Sequence, residues 1–318
     1  MKYYAGLDIG GTKCAAVIGC VTEDGGIQVL AKEKYPTAGD PRAMVETLCD
    51  AVLRLKGDKK LEAVGVSCGG PLSSEKGLIL SPPNLPGWDN IPVCRLVTEK
   101  LGVRCRLQND ADACALAEWQ FGAGKGTKNM VFLTCGTGFG AGLILGGRLY
   151  TGASDMAGEI GHIRASENGP VGYGKAGSYE GWCSGGGIAQ VAKAAALEQL
   201  QKGKTCGFCG SYEELEAVSA KTVADAANAG DLLALQVYET CGNYLGRSLA
   251  MLIDLLNPEA VVLGSIYQRC ENLLAERCRA VIREECLPGA AEKCRILPAA
   301  LGDSIGDIAA LAVAAQEG

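Results

Sequence analysis

Two glycine-rich turns, each lying between two apolar segments, constrain the fold of this 318-residue chain more than any other feature. The first segment runs from Leu7 to Ile18 and the second from Leu133 to Ile144. Leu, the first Gly, Ala and Ile occupy equivalent positions in both segments. An apolar strand, a tight turn and a second apolar strand predict a β-hairpin, and its repetition predicts two related lobes.

Neither turn has the spacing of the common nucleotide-binding loops. A P-loop requires G-x-x-x-x-G-K-[ST], which neither the turn at Gly10 nor the segment 122–127 supplies. A Rossmann fingerprint leads into a helix, whereas the alternating glycines from Gly136 to Gly142 lead into an apolar strand. The interpretation left is a nest of backbone N–H groups that holds phosphate at a hairpin, with plain turn geometry as the alternative.

The rest of the chain alternates strand and helix patterns, which predicts an α/β fold. The predicted elements are a strand with a glycine turn over 61–71, a strand over 104–108, a helix over 111–121, a helix over 244–256 stopped by Asn257-Pro258, a strand over 260–263 with a turn at Gly264 and Ser265, and a C-terminal helix over 305–316.

Composition excludes several classes of function. The chain has 30 basic and 36 acidic side chains and no block of Lys or Arg, so neither nucleic acid nor an anionic membrane is an expected partner. No apolar run approaches the roughly 18 residues of a membrane helix. The N-terminus enters a strand pattern without a secretory signal, which predicts a cytoplasmic protein with reduced thiols at its 16 cysteines.

His162 is the only histidine of the chain, and this count excludes multi-histidine metal sites. A Ser-His-Asp hydrolase would have to be built on His162, and the sequence contains no G-x-S-x-G motif for its nucleophile.

Seven motifs, in a fixed order over essentially the whole chain, carry a family resemblance. They are Asp8-Ile-Gly-Gly-Thr-Lys13, the Gly-Gly-Pro71 turn with Asn84-Leu-Pro-Gly-Trp88, Asn109-Asp-Ala-Asp-Ala113, the second glycine hairpin, Gly158-Glu-Ile-Gly-His162, Glu180 and Leu256-Asn-Pro-Glu259. With them the chain resembles the ROK family of bacterial repressors and sugar kinases. The resemblance implies a two-lobed α/β fold of the hexokinase, heat-shock-protein and actin type (ribonuclease H-like), with an interlobe cleft.

The resemblance also implies an activity. Family repressors carry a helix-turn-helix domain before the first phosphate motif, and only seven residues precede Asp8, so the kinase branch is expected. Kinases of this branch transfer the γ-phosphoryl group of ATP, with Mg²⁺, to a hydroxyl of a hexose or N-acetylhexosamine. The 6-hydroxyl of glucose, or of a relative such as N-acetylmannosamine, is the expected acceptor. A homodimer is expected, with a smaller lobe of residues 1–118 and 303–318 and a larger lobe of residues 119–302.

A sugar hydroxyl is a poor nucleophile and needs a carboxylate base, for which Asp110 is the candidate because it lies where a strand meets a helix. The alternative is that Asp110 only caps that helix. The resemblance implies sugar contacts from Gly70, Asn84, Asn109, Asp110, Glu159, His162 and Glu180. It implies nucleotide contacts from Asp8 (through Mg²⁺ and its waters), Gly10, Gly11, Thr12, Thr134, Gly136, Thr137 and Gly138, with Gly264 near the adenosine.

The chain departs from the family in the zinc motif. Family members with zinc carry C-x-C-G-x-x-G-C, whereas this chain has Val171, Tyr173 and Ser178 at the three cysteine positions. These residues are poor zinc ligands, so zinc is predicted to be absent. What orients His162 is then open, and packing by Tyr173 or Tyr179 is one possibility.

Cys206 and Cys209 have the C-x-x-C spacing and leave a second metal hypothesis. With Cys183 and His162 they would supply four ligands. Ordinary thiols in an inserted loop are the preferred interpretation, because no second C-x-x-C accompanies the pair.

Two other classes of function stay open on the sequence. An iron–sulfur ATPase that activates a dehydratase or reductase would explain the many cysteines, but not the sugar-binding motifs. A sugar-sensing protein without turnover would explain those motifs, but not the intact Asp110.

Overall fold

The structure, a computed structural model, describes residues 1–316. The strands among these residues are β1 (Lys2–Ile9), β2 (Lys13–Val21), β3 (Ile27–Pro36), β4 (Leu61–Cys68), β5 (Leu72–Ser73), β6 (Leu78–Ile79), β7 (Cys105–Asn109), β8 (Met130–Cys135), β9 (Phe139–Leu145), β10 (Arg148–Leu149), β11 (Val171–Gly172), β12 (Lys175–Ala176), β13 (Ala260–Leu263) and β14 (Arg295–Pro298).

The helices of the same part of the chain are α1 (Pro41–Lys56), α2 (Val93–Leu101), α3 (Asp110–Phe121), α4 (Tyr179–Cys183), α5 (Gly185–Gln201), α6 (Ala220–Asn228), α7 (Leu232–Leu256), α8 (Ile266–Arg269), α9 (Glu271–Glu285), α10 (Pro288–Ala291) and α11 (Ile305–Ala315). Short 3₁₀ turns cover Ile160–His162, Glu213–Ala217 and Gly302–Ser304.

The structure contains two five-stranded sheets, and in both of them the strands, numbered by their order along the chain within that sheet, are arranged 3-2-1-4-5. The first is β3-β2-β1-β4-β7 and the second is β10-β9-β8-β13-β14. In the first sheet β1, β2 and β3 run antiparallel, and β4 and β7 continue it in parallel. The repeated hairpins of the sequence thus become the equivalent strands β1–β2 and β8–β9, which confirms the predicted α/β fold with two related lobes.

The first sheet is covered on both faces. One face packs on α1 and α2 around a core that includes Leu7, Leu48 and Val66. The other face packs on α11 through Leu311. Gly65 is required there, because a Cβ at this position would lie 2.1 Å from the Ala310 carbonyl oxygen.

The chain divides into two compact units. The first unit comprises Met1–Phe132, Gly142–Ala157 and the C-terminal segment that begins at Ala300, and the second comprises Leu133–Ala141 and Gly158–Ala299. Compact units need not coincide with functional lobes, so the functional division at residues 118 and 303 stays a prediction. Within the described part of the chain, no helix has the length and apolar character to cross a bilayer.

Most local predictions from the sequence are confirmed. The helix predicted over 111–121 is α3, and the C-terminal helix is α11. The helix that stops before Asn257-Pro258 is α7, which begins earlier than predicted, at Leu232. Asn257 ends this helix in the left-handed conformation, with φ of 44°, a role to which asparagine is suited.

Candidate active site

The first glycine turn is closed by main-chain and threonine hydrogen bonds. The N–H of Gly10 donates to the Lys13 carbonyl at 3.1 Å. The Thr37 hydroxyl donates to the Gly10 carbonyl at 2.5 Å, and the Thr37 N–H donates to the Thr12 carbonyl at 3.0 Å. The Gly10 N–H is therefore already hydrogen-bonded within the turn.

Gly11 brings this turn against the Asn84 loop. A Cβ at Gly11 would lie 2.3 Å from the Asn84 carbonyl oxygen, a distance that real Cβ atoms do not reach. The predicted phosphate turn and a predicted sugar ligand are thus in contact within the first unit.

Asn109 and Asp110 lie at the junction of β7 and α3. The helix cap is Asn109, whose side-chain oxygen accepts the Ala111 N–H at 2.8 Å. Asp110 is the first helical residue, and its carboxylate accepts the same N–H at 2.8 Å. The Asn109 side-chain nitrogen lies 3.4 Å from where a Cβ of Gly70 would be, so two predicted sugar ligands are neighbours.

The electrostatic setting of Asp110 suits a base. Asp110 is an exposed residue in densely packed surroundings, and the loss of hydration that this packing causes is the largest cause that raises its pKa. Hydrogen bonds from the Ala111 and Asp110 N–H groups act in the opposite direction. A base with a pKa raised toward neutrality accepts a proton more readily than an ordinary aspartate does.

Asp8, at the end of β1, is surrounded by both signs of charge. Burial, followed by the charge of Asp307, raises the pKa of Asp8 to about 6, and Asp110 adds to this effect. Lys32 and Lys34 act in the opposite direction. A carboxylate crowded by other carboxylates gains from a bound cation, and Mg²⁺ is commonly held by one or two carboxylates and waters, so this donor set fits Mg²⁺.

A cavity of about 240 Å³ beside Asp8 is lined by charged side chains that the sequence analysis did not assign. They are Lys13, Lys32, Lys34, Asp303 and Asp307. The sheet register explains the grouping, because Asp8 pairs with Ala15 and Ala15 pairs with Lys34 across three strands. Lys32 donates a hydrogen bond to Asp307 at the start of α11.

The second glycine turn lies against Glu180 in the second unit. The Gly136 N–H donates to the Gly138 carbonyl at 3.0 Å, which closes the turn. The Phe139 N–H donates to the Glu180 carboxylate at 3.2 Å. Glu180, which was predicted as a sugar ligand, therefore also holds the hairpin that carries Thr134 and Thr137.

Gly264 lies beside the same turn. Its N–H donates to the Leu133 carbonyl at 2.9 Å. The hydroxyl of the next residue, Ser265, lies 3.3 Å from where a Cβ of Gly136 would be. The four predicted nucleotide contacts of the second turn and Gly264 are thus grouped in one region of the second unit.

The glycines around Glu159 and His162 allow a close approach to β9. A Cβ at Gly158, where φ is 88°, would lie 2.0 Å from the Ala141 carbonyl oxygen. A Cβ at Gly161 would lie 1.9 Å from the Phe139 carbonyl oxygen. Glu159 and His162 are both exposed and follow each other around the 3₁₀ turn, where the His162 N–H donates to the Glu159 carbonyl at 3.1 Å.

The residues at the family's zinc-cysteine positions make structural contacts of their own. Ser178 is buried and caps α4, accepting the Gly181 N–H at 3.2 Å. Tyr173 makes an edge-to-face contact with the ring of His162, at a centroid distance of 6.1 Å. Val171 has no ligating atom in its side chain, so these three residues do not fit a zinc ion.

Cys206 and Cys209 pair with each other across a tight turn. Their main chains exchange hydrogen bonds of 3.1 and 3.2 Å, and both residues are free thiols. Over residues 1–316, the structure brings together no group of three or more His, Cys, Asp or Glu side chains that is placed to hold a metal ion.

Comparison with known proteins decides the family. The model of the ROK family matches residues 4–317. The chain belongs to the ROK family. This ROK protein is 33% identical over 316 residues to a glucokinase of Halalkalibacterium halodurans, and the match covers 96% of this chain and 93% of the relative. It is 32% identical over 270 residues to an N-acetylmannosamine kinase of Shigella boydii, covering 85% of this chain and 84% of that protein.

A solved ROK structure supports the same conclusion. The crystal structure of a ROK family glucokinase from Streptomyces griseus, in complex with glucose and AMPPNP, matches with a TM-score of 0.78 and 30% sequence identity. The match covers 99% of this chain and 100% of that chain. The fold predicted from the family resemblance is therefore confirmed.

One buried acidic residue of α3, the helix that begins at the candidate base, was not predicted from the sequence. Glu118 of α3 is fully buried, and its carboxylate accepts N–H groups from Ala123 at 2.8 Å, Ala300 at 3.2 Å and Leu301 at 2.9 Å. One signal in the sequence could have indicated this residue, because Glu118 is a charged residue that lies among apolar residues of a helix.

Proposed function

We propose that this ROK protein is an ATP-dependent sugar kinase that phosphorylates a hydroxyl of a hexose, with the 6-hydroxyl of glucose as the first candidate and N-acetylmannosamine as the second. The observation that carries the proposal is Asp110, a carboxylate with a raised pKa at the start of α3, beside Asn109 and Gly70. The similarity to a glucokinase crystallised with glucose and AMPPNP supports both the sugar and the nucleotide.

In this proposal Asp110 is the general base. It accepts the proton of the attacking sugar hydroxyl as the hydroxyl oxygen bonds to the γ-phosphorus and the bond from the γ-phosphorus to the bridging oxygen of ADP breaks. Asn109 orients the same sugar through its side-chain amide, while its oxygen caps α3 and holds Asp110 in place. Because the cap fixes the start of the helix, the base is positioned before the substrate binds.

Each glycine turn is proposed to contact phosphate oxygens through its own residues. At the first turn Gly11 and Thr12 contribute, and the lysines of the cavity beside Asp8 add positive charge. At the second turn Thr134, Thr137 and Gly138 contribute, with Gly264 toward the adenosine, while Gly136, like Gly10, closes its turn through its own N–H. Mg²⁺, held through Asp8, would offset the charge of the phosphates when it is bound.

The sugar hydroxyls are proposed to meet carboxylates of the second unit. Glu159 and His162 are exposed on a turn that close glycine contacts hold against β9. Glu180 contributes a carboxylate that one main-chain N–H already orients. A carboxylate can accept hydrogen bonds from two hydroxyl groups at once, which suits a polyhydroxy ligand.

A substrate panel tests the proposal. Glucose, mannose, fructose, N-acetylglucosamine and N-acetylmannosamine are offered with ATP and Mg²⁺, and ADP release is coupled to absorbance. We expect turnover with at least one sugar, with the highest kcat/KM for glucose. Calorimetric binding of a sugar without turnover would favour the sugar-sensing alternative, and a coloured iron-containing protein would favour the iron–sulfur alternative.

Gly11→Ala is expected to lower kcat/KM about 10–100-fold, because a methyl group would displace either the phosphate turn or the Asn84 loop. Steady-state kinetics with the best sugar of the panel measures the effect. Gly289→Ala is the matched control, since its new Cβ would meet no atom within 4 Å. Equal kinetics for the two variants would contradict the role of Gly11.

A further inference from the structure

We propose that Tyr173 is a positioning residue for His162, and that the β11–β12 hairpin holds the His162 loop by hydrogen bonds and one aromatic contact instead of a metal ion. The inference rests on the proposed function, in which His162 contacts the sugar. It concerns residues of the second unit only.

The hairpin is anchored by side chains of neighbouring helices. Gln190 of α5 donates its side-chain N–H to the Val171 carbonyl and accepts the Val171 N–H, both at 2.9 Å. Ser178 donates to the Gly172 carbonyl at 3.4 Å. A Cβ at Gly172 would lie 2.5 Å from the Gly181 nitrogen, so the hairpin packs directly on α4. These contacts fix the position of β11 on α4 and α5.

Tyr173 occupies an unusual backbone position for an aromatic residue. Tyr173 and Gly174 are the two central residues of the turn, with φ of 43° and 73°. Two positive φ angles in a two-residue hairpin loop define a type I′ turn, in which Asn or Gly is the ordinary first residue. A tyrosine is strained in this conformation, and Tyr173 is 72% exposed, so burial of the residue does not offset the strain.

The contact with His162 accounts for the tyrosine. The two rings meet edge to face, with an interplanar angle of 73°. On the main-chain side, the Lys175 ammonium group donates to the His162 carbonyl at 2.6 Å. The hairpin therefore holds His162 at two points, its ring through Tyr173 and its backbone through Lys175.

The three zinc-cysteine positions now each have a separate structural use. Val171 is anchored through its main chain, Tyr173 contacts the histidine ring, and Ser178 caps α4. The donor set for zinc is replaced, and the position of the sugar-binding histidine depends on an aromatic contact.

Because His162 is the only histidine, selective histidine labelling gives an NMR spectrum with a single ring system. In Tyr173→Gly we expect the His162 ring signals to move, since the ring current of Tyr173 is lost. In Tyr173→Phe they stay near their wild-type positions. Tyr212→Ala, which removes another exposed aromatic ring of the second unit, is the control and leaves the signals unchanged.

Stability and kinetics separate positioning from a merely structural role. Tyr173→Gly should keep or raise the thermal midpoint, because glycine adopts the positive φ without strain. Its KM for glucose should rise about three- to tenfold, the worth of one edge-to-face pair, while kcat stays within about twofold. Tyr173→Phe should retain the wild-type KM.

Two results would overturn the inference. One is an unchanged His162 spectrum in Tyr173→Gly, and the other is stoichiometric zinc in the purified protein, measured by elemental analysis, whose removal moves the His162 signals. The NMR measurement needs no substrate. A protein that phosphorylates no sugar therefore refutes the proposed function, while the spectrum still decides whether Tyr173 positions His162.

Discussion

Asp110→Asn is expected to lower kcat by roughly 10²–10⁴-fold, the usual worth of a positioned general base, while sugar binding is largely retained. An asparagine has the same shape and can still accept the Ala111 N–H that Asp110 accepts in the wild-type protein. It cannot take up the proton of the attacking hydroxyl at neutral pH. Coupled ADP release measures kcat, and calorimetry measures the affinity for the sugar.

Asp58→Asn is the matched control, because Asp58 is an exposed aspartate of the same unit, and its variant should keep the wild-type kcat. The base must be ionised to act, so the activity of the wild-type enzyme should fall as the pH is lowered through the raised pKa of Asp110. A loss of kcat smaller than about tenfold in Asp110→Asn would remove Asp110 from the role of base.

Glu118→Leu is expected to destabilise the first unit by about 3 kcal/mol or more. Three N–H groups, of Ala123, Ala300 and Leu301, would lose their carboxylate acceptor in part-buried hydrogen bonds. A donor that is left unsatisfied away from water costs about 1–3 kcal/mol, and the exposed Ala300 loses least because water can reach it. The side chain has no exposed surface through which water could take its place. Urea titration followed by tryptophan fluorescence detects the change, because Trp119 is adjacent in α3.

Two further variants define this result. Glu118→Gln keeps the shape and one acceptor oxygen, so it should lose less stability than Glu118→Leu. Glu99→Gln changes an exposed glutamate that forms only a surface ion pair with Arg95, and it should shift stability by no more than about 0.5 kcal/mol. A Glu118→Leu variant as stable as Glu99→Gln would show that the buried hydrogen bonds contribute little.

The similarity of the two hairpins, β1–β2 and β8–β9, follows from local patterns in the sequence. Apolar residues on both sides of a glycine turn predict a hairpin wherever they occur, because strand period and turn geometry depend on adjacent residues. Asp110 was found for the same reason, since a polar pair between a strand and a helix is a local signal. The sequence does not decide which residue caps that helix, because Asn109 and Asp110 are adjacent and both residue types are good caps. The structure assigns the cap to Asn109.

The charged groups near Asp8 required the tertiary structure. Lys34 reaches this region through the register of three strands, and Asp307 reaches it because α11 packs on the same sheet. No pattern within a short segment reports a strand register, because the register is set by the packing of the whole sheet. The sequence therefore does not indicate that Lys13, Lys32 and Lys34 lie beside Asp8.

The sequence by itself determined the two hairpins, the α/β fold and the position of Asp110 between β7 and α3, because each depends on residues that are close along the chain. It also determined the family, because seven short motifs follow one another in a fixed order. Only the tertiary structure decided what Glu118 binds and what contacts His162. The partners of Glu118 include Ala300 and Leu301, which are distant along the chain and reach it only through folding. The contact of Tyr173 with His162 likewise depends on the hydrogen bonds by which Gln190 and Ser178 hold the hairpin. These hydrogen bonds form only when the chain has folded, so the sequence alone does not show them.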